Sequence, residues 1–396
     1  MQAPIIYASF DRVPAPKGAA THIEAFARAL APARGPVDLV TIAAPADPAG
    51  GAPERARWDG VTHVPLTIHG RHLIERVMHF RGQMLAWWGQ RRAPIAHVRS
   101  IYEGYPLARS KGRLCDQLVY EVNGLPSIEL KYHYPAVADD HELLAKLTAQ
   151  EQTVLDAADV VLTPSGVTAA YLTQRGVAPE RVHVIPNGVD LDRFHYRAVT
   201  PWAGRALKLL YCGTLTSWQG LHHAIDALAW SLRDFPATLT IVGPARSRQR
   251  RHLLARVRKL GLDRAVTIRD PVPQAALAAL HHQHDVVLAP LPANDRNLVQ
   301  GCSPLKILEA MAAGTPLVAT DLPVVRALAR HRREALLVKP TGAKSLAKSL
   351  RDALAELYER PALADSLSRA ARARVESEFR WDIAGAALVR AYDRLA

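Results

Sequence analysis

Cysteine is scarce in this chain. Three occur in 396 residues, Cys115, Cys212 and Cys302, odd in number, far apart and in no CxxC pair. That excludes a disulfide framework and a cysteine-built zinc site, and it points to a reducing cytoplasm. Long apolar runs are missing as well: none approaches the ~18–20 residues that a membrane span needs. The opening MQAPIIYASF has no basic leader and too short an apolar run for a signal peptide, so it reads as a first buried strand. No Gly-x-Ser-x-Gly, Walker loop or His-Glu-x-x-His occurs, which removes the usual hydrolase and NTPase signatures. Tandem repeats at solenoid periods and low-complexity segments are absent.

What remains is a globular composition, 49% hydrophobic and 22% charged, long enough for two domains of about 150–200 residues. The net charge of +13 has two readings. It can complement an anionic partner (nucleotide, phospholipid surface or nucleic acid), or it can be arginine spread over solvated faces. A nucleic-acid module is the weakest of these, since no aromatic-interleaved basic strand accompanies the charge.

Apolar, β-branched runs alternate with helical patterns throughout. PIIYAS, VDLVTIAA, IAHVRSI, LVYEV, DVVLTPS and VHVIPNG are followed by LKLLYCG, TLTIVG, AVTIRD, DVVLAPL, PLVAT and ALLV. Several are apolar on both faces, as parallel strands covered by helices must be. Two strand–helix series predict an α/β protein of two doubly wound, Rossmann-like parallel-sheet domains. The turn-rich PNGVDLDRFHYRAVTPWAGR marks the seam, giving domains 1–195 and 196–378. The closing segment 379–396 is an amphipathic helix with Ile383, Ala387, Ala391 and Leu395 near one face, able to brace the first domain or cap the second. Ligands of such sheets bind beyond the carboxyl ends of the strands, so two domains would line a shared cleft.

GCSPLKILEAMAAGTP, residues 301–316, carries the strongest chemistry. A helix start offers unpaired N–H groups and a positive dipole end, both favourable to phosphate. Ser303 sits at an N-cap position and Pro304 suits the first helical one. Lys306 adds a full charge, and Glu309, one turn on, can accept two hydroxyl hydrogen bonds, as from a ribose. The plainer alternative is an i, i+3 ion pair on a wet helix face.

Together GCSPLKILEAMAAGTPLVATDLP, VIPNGVD and PAPKGAATHIEAFARAL resemble the family 4 glycosyltransferases of the two-domain GT-B fold. The resemblance implies a nucleotide diphosphate sugar as donor, UDP-linked first, with retention of anomeric configuration and no metal or other cofactor. It implies a sugar, glycolipid or polysaccharide acceptor bound by the N-terminal domain, with the closing helix crossing back to that domain. Carried onto this chain, it makes Lys306 and Glu309 catalytic. It places Gly18, Gly213, Thr214, Gln219, Val272, Arg296, Gly301, Cys302, Ser303, Pro304 and Leu305 around the donor, and His22, Glu121 and Asn123 toward the acceptor. Two departures stand out. The family's first motif glutamate falls on Gly301, and its Arg and Lys after the first strand of the second domain fall on Thr214 and Gln219. Lys306 would then be the main cation for the leaving diphosphate, with Arg296 a second candidate.

Three further features carry two readings each. Asn123-Gly124 can be a plain turn. Residues 71–94 place Leu73, Val77, Phe80, Met84 and Trp88 on one stripe among arginines, fitting either an anionic bilayer and a peripheral location or a helix packed on its own sheet. HHQH, 281–284, invites a metal, but adjacent histidines point different ways. Two rival functions stay open: a GT-B sugar-nucleotide epimerase, which needs no acceptor, and a degenerate subunit that supports a partner transferase.

Overall fold

The computed structural model describes residues 3–44, 57–202, 204–340 and 343–395. They form two compact units, 1–186 with 382–396, and 187–381. In the first, strands β1 (Ile5–Arg12), β2 (Val37–Ile42), β3 (Arg57–Trp58), β4 (Val61–Leu66), β5 (Ala93–Val98), β6 (Cys115–Glu121), β7 (Val160–Thr163) and β8 (Val182–Val184) make one sheet in the order β3-β4-β2-β1-β5-β6-β7-β8. All neighbours pair parallel except the two-residue edge strand β3. The second unit holds β9 (Leu207–Cys212), β10 (Ala237–Val242), β11 (Val266–Arg269), β12 (Val286–Ala289), β13 (Leu317–Thr320) and β14 (Leu336–Val338), all parallel, in the order β11-β10-β9-β12-β13-β14. Both sheets reverse direction of growth once, between β1 and β5 and between β9 and β12. Successive crossovers leave on opposite faces there and open a crevice at the carboxyl ends.

The apolar runs became the central strands because helices cover both faces; β7, β12 and β13 are buried at every residue. The strand β4 gave no such run, since His63 and Pro65 interrupt it. His63 is buried with Nε2 2.8 Å from the Thr41 hydroxyl, and Pro65 lies beyond the Arg57–Trp58 pairing, where no strand of the described residues needs its missing N–H.

Residues 73–88 form a helix with Val77 buried and Phe80, Met84 and Trp88 packed into the first core. The apolar stripe is therefore spent inside the protein and is not available to a bilayer. Ile74 and Met78, 66% and 58% exposed, face outward instead. Among the described residues no helix is long and apolar enough to cross a membrane.

The closing helix, Trp381–Tyr392, lies with the first unit from Asp382 onward. Tyr392 Oη is 2.7 Å from His97 Nδ1, and the Arg34 guanidinium donates to the Val389 carbonyl at 2.9 Å. Its buried face includes Ala384, Leu388 and Ala391, with Leu395 buried in the turn just beyond, so the stripe begins at Ala384, one residue past the expected Ile383. The turn-rich seam is not loose chain: Phe194 and Trp202 are buried within the second unit. Gly188 there has no room for a side chain, because a Cβ would lie 2.5 Å from the Trp381 backbone nitrogen, and Val189 pairs with Arg380. Gly188→Ala is expected to lower unfolding stability by about 1–3 kcal/mol, read from the urea midpoint; an unchanged midpoint would show that this contact relaxes freely.

Candidate functional site

The crevice between β9 and β12 gathers most of the donor residues named from sequence. The loop after β9 contributes Gly213, Thr214 and Gln219; the segment after β12 contributes Arg296 and residues 301–305. Beside them runs the helix Leu305–Ala313, buried at every residue from 306 to 313 and closed by Gly314 in the left-handed conformation. Lys306 and Glu309 are thus only 7% and 6% exposed, so they are not a pair on a wet helix face. Nor do they form an ion pair with each other among the described residues.

Lys306 has neutral partners. Its Nζ donates to Tyr211 Oη at 2.9 Å and to Gln219 Oε1 at 2.5 Å, and lies 4.0 Å from the centre of the Tyr211 ring. Tyr211 in turn lies 2.8 Å from the Thr214 carbonyl and 3.1 Å from Gln219 Oε1. Burial pushes the ammonium down to about 7, against an opposing pull from Cys212, Cys302 and Glu309. Gly213, at φ 133°, leaves the space: a Cβ there would stand 3.1 Å from Lys306 Nζ. Gln219, in the place of the family's lysine, has become part of the cradle of the one that remains.

Glu309 is pushed up to about 7 by burial, and a hydrogen bond from Gln274, with Lys306 and Arg193 nearby, only partly offsets it. Gln274 opens the helix Gln274–Gln283, two residues beyond the half-buried Val272. The loop assigned to the base is therefore tied to the carboxylate assigned to the ribose.

The loop 301–304 departs from expectation at its cap. Pro304, not Ser303, occupies the N-cap, and the helix begins at Leu305. Ser303 Oγ instead accepts the Asn187 backbone N–H at 3.1 Å, while Asn187 Nδ2 donates to the Ser303 carbonyl at 2.6 Å. Gly301 sits at φ 77°, a region that side chains rarely adopt, so a glutamate at this position would be strained. Arg296 is buried over the Trp218 ring, its guanidinium turned to the Gly301 carbonyl.

In the first unit Gly18 opens the helix Gly18–Arg34 beyond the carboxyl end of β1, with His22 buried one turn in. Glu121 ends β6 as a hub. Tyr7 Oη donates to its Oε2 at 2.6 Å and His97 Nε2 lies 3.0 Å from the same oxygen. His22 Nε2 lies 2.7 Å from Oε1, Arg99 Nε donates to it at 2.9 Å, and Asn123 Nδ2 donates to it as well. Burial alone would raise this carboxyl; His22 and Arg99 outweigh it and hold Glu121 well below the usual carboxylate range. Both Glu121 oxygens are engaged by side chains of its own unit, and the half-buried Asn123 is tied to one of them. Glu121 holds the buried His22 in place beside it.

The three histidines of HHQH turn to separate partners. His281 is buried, with Nε2 3.8 Å from Cys212 Sγ, His282 lies 2.9 Å from the His195 carbonyl, and His284 lies 2.9 Å from the Thr240 hydroxyl. Among the described residues no group of three His, Cys, Asp or Glu side chains could hold a metal ion.

Comparison with known proteins agrees with this arrangement. Residues 16–193 match the family model described as Glycosyltransferase Family 4, and residues 206–356 the one described as Glycosyl transferases group 1. The chain belongs to the family 4 glycosyltransferases. A glycogen synthase of Mycobacterium tuberculosis is 31% identical over 252 residues, covering 63% of this family 4 chain and 58% of that protein. The chain thus spans less than two thirds of that relative's length. A sucrose-phosphate synthase from Thermosynechococcus elongatus superposes with a TM-score of 0.78 at 22% identity, covering 99% of each chain. Anabaena HepE, solved with UDP-glucose, gives 0.70 at 16% identity over 98% of this chain and 99% of its own. At such identities the likeness is one of fold, and that fold is GT-B.

Tyr211, Gln274, Asn187 and Trp218 were not among the residues read as functional from the family 4 motifs. Tyr211 is hidden in the apolar run LKLLYCG, where an aromatic reads as core, and Asn187 stands openly in PNG but with a partner 116 residues away. A buried ammonium without a carboxylate costs the free protein stability. Above about pH 7 the folded state has released the Lys306 proton while the unfolded chain keeps it up to about 10.4, so this term favours folding as pH rises through that window. Lys306→Met is expected to stabilise the free protein by about 1–4 kcal/mol at neutral pH, measured by thermal or urea unfolding. A destabilised variant would mean that the ammonium is well compensated.

Proposed function

We propose that this protein transfers a sugar from a UDP-linked donor to an acceptor hydroxyl with retention of configuration. The observation that carries the reading is Lys306, a buried cation held by neutral partners at the switch point of the second sheet. A diphosphate is the counter-ion such a group lacks, and charge develops on that diphosphate as it leaves. The acceptor oxygen forms its bond to the anomeric carbon on the face from which the phosphate departs. The bond between that carbon and the β-phosphate oxygen breaks, and the acceptor's proton passes to the leaving phosphate. No side chain serves as nucleophile. Glu309 takes the ribose hydroxyls, the backbone about Val272 the uracil edge, and the amides of Cys302 and Ser303 with the backbone of Gly213 approach the phosphates and sugar. With Lys306 supplying the charge, no resident metal is called for.

We assign His22 to the reacting sugars, and a sugar, glycolipid or polysaccharide hydroxyl as acceptor. Membrane contact through residues 71–94 would rest on the exposed Ile74 and Met78 near Arg71, not on the buried stripe. Free thiols at Cys115, Cys212 and Cys302 suit a cytoplasmic enzyme. Calorimetric titration with UDP, GDP, UDP-glucose, UDP-N-acetylglucosamine and GDP-mannose tests the reading. Uridine nucleotides are expected to bind, and Lys306→Ala and Glu309→Ala each to weaken them about 10–100-fold, as for charge-assisted hydrogen bonds. Preference for guanosine nucleotides would overturn the donor assignment, and no binding at all would favour the degenerate-subunit alternative.

A further inference from the structure

The turn Arg296–Gln300, of π type, is inside out. Arg296, Asn297 and Gln300 are buried, while Leu298 and Val299 are 42% and 37% exposed. Burial of apolar surface alone would place these side chains the other way round. Specific contacts hold the polar ones in. The Arg296 guanidinium lies 4.8 Å from the centre of the Trp218 ring and donates to the Gly301 carbonyl at 2.5 Å. It also bonds the Cys302 side chain. Asn297 Nδ2 donates to the Trp218 carbonyl at 3.2 Å and to the Pro292 carbonyl at 2.8 Å. One turn therefore ties the loop after β9, through the neighbour of Gln219, to the loop that precedes the Lys306 helix.

The opposite end of that loop is held by Asn187, which donates to the Ser303 carbonyl. Because a trans peptide is planar, a Gly301 carbonyl turned to Arg296 aims the Cys302 N–H the other way. Among the described residues, the amides of Cys302 and Ser303 donate to no protein acceptor.

We infer that Arg296 is a positioning residue: it fixes the Gly301–Ser303 loop so that the Cys302 and Ser303 amides are presented to the donor's diphosphate, and it does not contact the phosphates itself. The inference rests on the donor-site reading above. It replaces the view of Arg296 as a second phosphate cation, since the guanidinium is stacked on an indole and donates Nη1 to a carbonyl of the loop itself. Lysine cannot reproduce both the stack and the fork, so charge and geometry can be separated.

The test compares wild type, Arg296→Lys and Arg296→Ala by UDP titration, by hydrogen exchange of the 301–303 amides in the free protein, and by unfolding midpoint. Both variants are expected to weaken UDP about a hundredfold, as misplaced binding groups do, and to speed exchange at Cys302 and Ser303 while strand amides stay protected. Arg296→Lys binding UDP like wild type while Arg296→Ala does not would overturn the inference in favour of a direct charge contact. So would unchanged affinity and exchange in both. Should Arg296→Ala fail to fold, Arg296→Lys alone decides. If wild type binds no UDP, the donor reading falls, and the exchange comparison still reports whether Arg296 holds the loop.

Discussion

The second unit is organised around one buried ammonium. Lys306 lies on a helix with no wet face, so its charge cannot escape to water along its own stem as lysines usually manage. Everything near it answers that constraint. Tyr211 and Gln219 offer oxygen acceptors without supplying a counter-charge, Gly213 clears the backbone from the Nζ, and the left-handed Gly301 brings a loop of free amides to the same crevice. A carboxylate in the cradle would quench the cation and make the site comfortable when empty. Its absence leaves the anion to be supplied from outside, which is the arrangement expected where stability has been traded for binding.

The departures from the family 4 pattern make sense on the same terms. Where the resemblance leads one to expect an arginine and a lysine besides the helix lysine, this chain has Thr214 and Gln219. The glutamine at 219 is not an empty place: its carbonyl oxygen orients the remaining lysine. Thr214 contributes its carbonyl to Tyr211, so that loop still feeds the cation, through the backbone. In the first unit a parallel solution operates with the opposite sign. Glu121, a buried anion, is compensated by Tyr7, His22, His97, Arg99 and Asn123, and so holds His22 in place.

The architecture was legible because doubly buried parallel strands write themselves as apolar runs, and because Gly and Pro punctuate the helix ends. The strand at 61–66 escaped because a histidine satisfied by Thr41 and an edge proline broke the run. Lys306 and Glu309 were legible as a motif, yet their burial was not: i, i+3 spacing looks the same on a wet helix and a dry one. The Ser303 cap failed by a single residue, because a tertiary partner, Asn187, took the hydroxyl that a local rule assigned to the helix. Glu121 was rightly placed at a strand end, but nothing local says that five side chains converge on it. Long-range polar partners have no periodicity to betray them, which is why Tyr211 and Gln274 were missed.

A lysine whose charge is completed by an incoming diphosphate must gain its proton as the diphosphate binds. Proton uptake measures this directly: UDP is titrated at pH 8 in two buffers of different ionisation enthalpy. At that pH Lys306, held down near 7, is mostly neutral and Glu309 already ionised. Binding is then predicted to draw in about one proton, and Lys306→Met to draw in none. Binding by the wild type with no proton taken up would mean that the lysine is already charged in the empty site, and that the diphosphate does not complete it.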